Sequence, residues 1–140
     1  MAIAPLQFDV RTGGRGRRVF FADDDPGMRT IVTMNLEAEG FDVSLAADGD
    51  EALAEIGRLL PDLIVLDVMM PGRDGFEVLR VLKSDERTKA IPVVMLTAKA
   101  ADSDIWEGWK SGADYYMTKP FDPGELTRFA HHVLGQGTVE

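Results

Sequence analysis

Between residues 18 and 134, short unbroken apolar runs alternate with longer stretches whose apolar positions recur every three or four residues. The runs Val19-Phe20-Phe21-Ala22 and Leu63-Ile64-Val65-Leu66 have no polar interruption, as expected of strands buried on both faces of a parallel sheet. The pattern predicts strands over Val19–Asp23, Phe41–Ala46, Leu63–Asp67, Ile91–Leu96 and Asp114–Met117. Pro92 is tolerated because it falls at the start of its strand. Only Phe41–Ala46 alternates apolar with polar residues, so it alone is expected to be half-exposed.

The intervening stretches carry helical spacing and punctuation. Pro26 opens a helix bearing Met28, Ile31, Val32, Met34 and Leu36, with Asp25 as its cap, and Gly40 ends it in the left-handed conformation. Asp48-Gly49 turns into a second helix with Ala52, Leu53, Ile56, Leu59 and Leu60 on one side, stopped by Pro61. Phe76, Val78, Leu79, Val81 and Leu82 mark a third, and residues 102–111 a fourth, closed by Gly112. Asp122-Pro123 starts the last, which carries Leu126, Phe129, Val133 and Leu134. Five such strand–helix units predict an α/β fold: a doubly wound (βα)5 sandwich with helices on both faces of a five-stranded parallel sheet.

In open parallel sheets the carboxyl ends of the strands form the ligand crevice. Here those ends are charged. The first strand runs into Asp23-Asp24-Asp25, the third ends on Asp67, and the fifth leads to Lys119-Pro120. Clustered carboxylates repel one another, so a hard cation with oxygen preference is their natural partner. Lys119 offers a point charge for a phosphoryl oxygen, Thr97 a hydroxyl, and Ala98 a backbone N–H. The combination suits a divalent cation and a phosphoryl group.

Charge and composition narrow the class. The 140 residues are one domain's worth, with a net charge of −9. Residues 1–18 hold Arg11, Arg15, Arg17 and Arg18 against Asp9, leaving residues 19–140 with 11 basic and 23 acidic side chains. An acidic body argues against direct nucleic-acid binding by the folded domain. Residues 1–17 read as a flexible basic leader, 18–134 as the folded domain, and 135–140 as a tail or the start of a linker. There is no cysteine, which excludes disulfides and thiolate metal sites. Without an apolar run of about 20 residues or a signal-peptide pattern, no membrane partner and a cytoplasmic location are expected.

The sequence resembles the receiver domains of two-component response regulators across roughly residues 18–134. The resemblance rests on Phe21-Ala-Asp-Asp-Asp-Pro26, Leu63-Ile-Val-Leu-Asp-Val-Met-Met-Pro-Gly72, Asp74-Gly75, Met95-Leu-Thr-Ala98, Gly112-Ala-Asp-Tyr-Tyr116 and Lys119-Pro-Phe121, in that order and spacing. It implies the flavodoxin-like strand order 2-1-3-4-5 and Asp67 as phosphoryl acceptor. Asp24, Asp67 and the Met69 carbonyl would hold Mg2+ or Mn2+, with Asp23 bound directly or through water. Thr97, Ala98 and Lys119 would meet the phosphoryl group, and a cis Lys119–Pro120 peptide would aim the lysine. Thr97 and Tyr116 would relay the change, while Met69 and Lys99 would flank the acyl phosphate and set its lifetime.

By the same resemblance the protein is a signalling switch whose only chemistry is its own phosphorylation and dephosphorylation. Its partners would be a sensor histidine kinase or phosphotransfer protein and a downstream effector domain or protein. The predicted fourth helix, fifth strand and last helix form the surface many relatives use for homodimers.

Lys119 is expected to matter for signalling more than for stability. Asp74 reads as a loop carboxylate shaping a turn, and His131 and His132 as solvated residues favoured by the helix dipole. Trp106 is expected mainly buried and Trp109 more exposed, Gly108 between them weakening the helix. A haloacid-dehalogenase-type phosphatase would need a second aspartate two residues after Asp67, where Met69 stands. A flavodoxin-like cofactor binder would need a Ser/Thr/Gly-rich loop after the first strand, where three aspartates stand instead.

Overall fold

The computed structural model of the protein describes residues 17–98 and 112–135. In chain order the elements are β1 (Arg18–Ala22), α1 (Pro26–Ala38), β2 (Asp42–Ala46), α2 (Gly49–Leu59), β3 (Leu63–Asp67), α3 (Gly75–Ser84), β4 (Val93–Thr97), β5 (Tyr115–Thr118) and α4 (Pro123–Leu134). All neighbouring strands pair parallel, in the order β2-β1-β3-β4-β5. The helix expected over 102–111, with Trp106 and Trp109, lies outside the described residues, as does Lys99.

Strand alternation splits the interior into two layers. Phe20, Ile64, Leu66 and Met95 point to one face and pack with Ala52 and Ile56 of α2 and Val78, Leu79 and Leu82 of α3. Val19, Phe21, Leu63, Val65, Val94 and Leu96 point to the other, against Val32 and Leu36 of α1 and Leu126, Ala130 and Leu134 of α4. Each fully buried aliphatic or aromatic side chain is worth roughly 1.5–3 kcal/mol of transfer free energy. Sheet and helices are thereby packed together, and every strand's carboxyl end arrives at the same edge.

The helices begin where their caps dictate. The Asp25 side chain accepts from the N–H groups of Gly27 and Met28 ahead of α1, and Asp122 accepts from Gly124 ahead of α4. Asp74 does more than shape a turn. It caps α3 in a reciprocal box, accepting from the Glu77 N–H while Glu77 accepts from its own.

Several expectations are corrected. β5 is as exposed as β2, since both are edge strands with only one neighbouring strand each. Leu60 leaves α2 with φ of 48° and is 45% exposed, so it caps the helix and is absent from its buried face. Val81 falls in α3 as expected, on its outer side and 41% exposed. Pro92 precedes β4 and accepts the Ile64 N–H through its carbonyl. His131 is not simply solvated: its Nε2 lies 3.0 Å from Glu39 Oε1 and its ring stacks at a tilt on Phe41, tying α4 to the end of α1. His132 is exposed, as expected.

Candidate functional site

The site is assembled by register. Ala22 pairs with Leu66 and Asp67 with Leu96, so Asp23, Asp67 and Thr97 stand at the ends of three adjacent strands. Thr97 pairs with Thr118, which brings Lys119 alongside. The Lys119 N–H donates to the Thr97 carbonyl at 2.7 Å, one step past the ladder, and the Lys119–Pro120 peptide is cis.

One carboxylate oxygen each from Asp23, Asp24 and Asp67 lies within 4.8 Å of the others. The three are not equivalent. Asp23 is fully buried and Asp67 nearly so, whereas Asp24 is exposed. Asp23 Oδ1 accepts from the Asp25 N–H at 3.0 Å, and Oδ2 from Lys119 Nζ at 3.1 Å. Asp67 Oδ1 accepts from the Met69 N–H at 3.2 Å, and Oδ2 from Lys119 Nζ at 3.2 Å. One ammonium thus serves two buried carboxylates, and the solvent side is left to Asp24. An all-oxygen, anionic donor set of this kind suits a hard divalent cation.

The electrostatics follow from this crowding. Burial, and then the Asp23 charge, push the Asp67 carboxyl above its usual range, with Lys119 and the Met69 N–H only partly offsetting them. Burial alone pulls Lys119 down, but its hydrogen bond to Asp23 and the charges of Asp67 and Asp23 outweigh it, and the ammonium is held above its usual value. The carboxylates need more positive charge than the lysine supplies.

The remaining sequence candidates lie nearby to differing degrees. Thr97 is buried at the end of β4, and Ala98 follows it, exposed. Tyr116, in register with Met95 on β5, is partly buried and packs against the layer beneath α2 and α3. The Met69 side chain is 71% exposed beside Asp67, while Met70 turns inward.

Sequence reasoning missed Arg29. From α1 its Nη1 donates to the Asp23 carbonyl at 2.7 Å, fixing the backbone between the first two carboxylates. Its position marks it only as a polar residue on a helix near other charges. No local signal distinguishes it from a solvated arginine.

The loop from Asp67 to α3 is short and closed on itself. Val68 donates to the Leu96 carbonyl and Gly75 to the Val68 carbonyl. A Cβ on Gly75 would stand 2.4 Å from the Asp67 carbonyl oxygen, so only glycine lets α3 begin against the backbone of Asp67.

Comparisons with known proteins agree with this architecture. The sequence model of the family described as response regulator receiver domain matches residues 19–131. The chain is 46% identical over 110 residues to the DNA-binding response regulator MtrA of Mycolicibacterium smegmatis, covering 79% of this chain and 47% of that one. It is 50% identical over 109 residues to the DNA-binding dual master transcriptional regulator RpaA of Synechocystis, covering 78% and 45%. The chain therefore spans about half the length of the curated relatives it matches. Among solved structures, the chemotaxis protein CheY4 of Vibrio cholerae superposes with a TM-score of 0.80 at 34% identity, covering 84% of this chain and 98% of that one.

Proposed function

Because the chain belongs to the response regulator receiver domain family of two-component signalling, we propose that it is a phospho-accepting switch in which Asp67 takes a phosphoryl group in the presence of Mg2+ or Mn2+. The observation that carries this is the meeting of Asp23, Asp24 and Asp67 within 4.8 Å, two of them bridged by Lys119. Asp24, Asp67 and the Met69 carbonyl would hold the cation, with Asp23 direct or through water. The cation would neutralise the carboxylates and draw charge from the phosphoryl oxygens.

The chain's own residues do the rest by position. Asp67 attacks phosphorus in line, its oxygen forming the new bond as the bond to the donor breaks. When the donor is a phosphohistidine, the electron pair returns to the imidazole. Lys119, already aimed at Asp67, stays as a charge partner for a phosphoryl oxygen. The Thr97 hydroxyl and the Ala98 N–H supply further donors. Inward movement of Thr97 would free space for Tyr116, and the change would be read on the surface of β5, α4 and residues 102–111.

The phosphoryl donor would be a sensor histidine kinase or phosphotransfer protein, and the recipient of the signal a downstream effector domain or protein. The two curated relatives named above are DNA-binding regulators about twice the matched length. Any DNA contact would on this reading belong to an effector and not to this acidic domain. A homodimer through β5, α4 and residues 102–111 would bring two effectors together. Among the described residues no helix is long and apolar enough to cross a membrane.

The deciding experiment is intact-mass measurement after incubation with acetyl phosphate. One added phosphoryl group is expected with Mg2+, none with chelator, and none in Asp67→Asn. Equal labelling of that variant would put the acceptor elsewhere.

A further inference from the structure

The β3–α3 loop carries Met69 and returns to the Asp67 backbone, yet it is also seated on a second element. The Gly49 N–H, at the start of α2, faces the Pro71 carbonyl at 3.5 Å. A Cβ on Gly49 would stand 2.1 Å from the Arg73 carbonyl oxygen and 2.7 Å from Arg73 Cβ. The two backbones are in contact, and no side chain fits between them. One residue further, Asp50 Oδ1 accepts from Arg73 Nε at 2.8 Å. The loop is therefore held at both ends: Gly75 lies on Asp67, and Pro71 and Arg73 lie on the first turn of α2.

From this we infer that the α2 N-terminus is a positioning element for the cation site, with Gly49 as the seat and the Arg73–Asp50 pair as its latch. The inference rests on the metal reading above. The three residues act through the loop that holds the Met69 carbonyl and the Met69 N–H donated to Asp67. The latch is exposed, its side chains 50% and 69% accessible, so each half contributes modestly. The seat is a backbone contact that cannot relax by side-chain rotation. Partners hydrogen-bonded directly to metal ligands typically cost roughly 10–100-fold in affinity when lost, and contacts one step further out cost less.

Charge alone gives the opposite signature from positioning, which makes the test decisive. Removing a cation near an acidic site strengthens divalent-ion binding, and removing a carboxylate weakens it. If Arg73 and Asp50 acted only through their fields, Arg73→Gln would bind Mg2+ more tightly and Asp50→Asn less. If they act as a latch, both variants bind more weakly, roughly two- to fivefold. The double variant is then no weaker than either single one, since the same contact is lost.

Isothermal titration of Mg2+ into the full 140-residue chain reads this directly. Thermal melting in chelator runs in parallel to separate affinity from stability. Gly49→Ala should lose roughly three- to tenfold in affinity, at or below the low end for direct partners of the ligands, although alanine is the better helix former. Opposite shifts in the two single charge variants, or unchanged affinity in both, overturn the inference and leave the metal reading standing. No Mg2+ heat in the wild type, with the melt showing it folded, overturns the metal reading and this inference with it.

Discussion

Asp67 and Lys119 stand 52 positions apart in the chain, yet the lysine ammonium donates to the Asp67 carboxylate at 3.2 Å. The same nitrogen reaches Asp23 at 3.1 Å, so neither carboxylate has a cation to itself. Both acids are buried and the lysine is only 23% exposed. In such surroundings an incompletely paired charge weighs on the stability of the fold as well as on its chemistry.

Asp67→Asn should stabilise the metal-free domain at neutral pH. Burial and the Asp23 charge raise the folded-state pKa of Asp67 above its unfolded value. The folded state thus holds this proton more tightly than the unfolded chain does. Ionising Asp67 costs stability once the pH exceeds the folded pKa, and the cost disappears below the unfolded one. The variant should melt above wild type at pH about 7 in chelator and lose that advantage by pH about 3.5. Added Mg2+ should narrow the gap by stabilising wild type more. A variant that melts at or below wild type at neutral pH would refute the claim.

Lys119→Met tests the expectation that this lysine matters for signalling more than for stability. The ammonium donates to both Asp23 Oδ2 and Asp67 Oδ2, so its loss should lower stability as well as alter signalling. About 2 kcal/mol should be lost in chelator, below the full cost of breaking a buried pair because the lysine is partly exposed. Its folded pKa is raised, so its contribution is complete below the unfolded pKa and is lost only at strongly alkaline pH. Mg2+ should restore most of the loss, because it can replace the missing positive charge. Chemical denaturation with and without Mg2+ checks this, and a variant as stable as wild type in chelator contradicts it.

Asp74→Ala should separate folding from chemistry. It removes one half of the capping box at the start of α3, at a cost of about 1 kcal/mol, or roughly 3–6 °C in a domain of this size. Acetyl phosphate should still label the protein. Loss of labelling in a folded Asp74→Ala would place this carboxylate in the chemistry.

Met69 is proposed to shield the acyl phosphate. Its side chain is largely exposed beside Asp67, and a thioether neither orients nor activates water as an amide would. After donor removal, phosphorylated Met69→Asn should decay several-fold faster than wild type, and Met69→Asn with Lys99→Glu faster again. Equal decay rates in all three proteins would mean that neither side chain shields the phosphate.

What could be read from the sequence was whatever a short stretch of chain decides by itself. Leu63–Asp67 came out residue for residue because an uninterrupted apolar run ending in a carboxylate has one reading in a buried strand. The caps Asp25 and Asp122 were legible because each precedes a proline at the first helical position. The family resemblance supplied the strand order, and that order brings Asp23, Asp67 and Lys119 together. Contacts between distant side chains left no local trace. The Arg29 bond to the Asp23 carbonyl, the Arg73–Asp50 pair and the His131–Glu39 pair depend on how helices are placed across the fold. The exposure of β5 was missed because the residues of an edge strand can look as apolar as those of a central one.

The sharing of one ammonium between two buried acids has a consequence for how a signal is admitted. Asp23, Asp24 and Asp67, when ionised, outnumber Lys119 by two negative charges, a deficit that a single divalent ion balances. On the proposed reading, a phosphoryl donor that arrives alone meets a repulsive surface, and an ion that arrives alone leaves Asp67 unmodified. Only the coincidence of the two changes the molecule. The domain then behaves as a two-input gate, with the ion as standing permission and the phosphoryl group as the message.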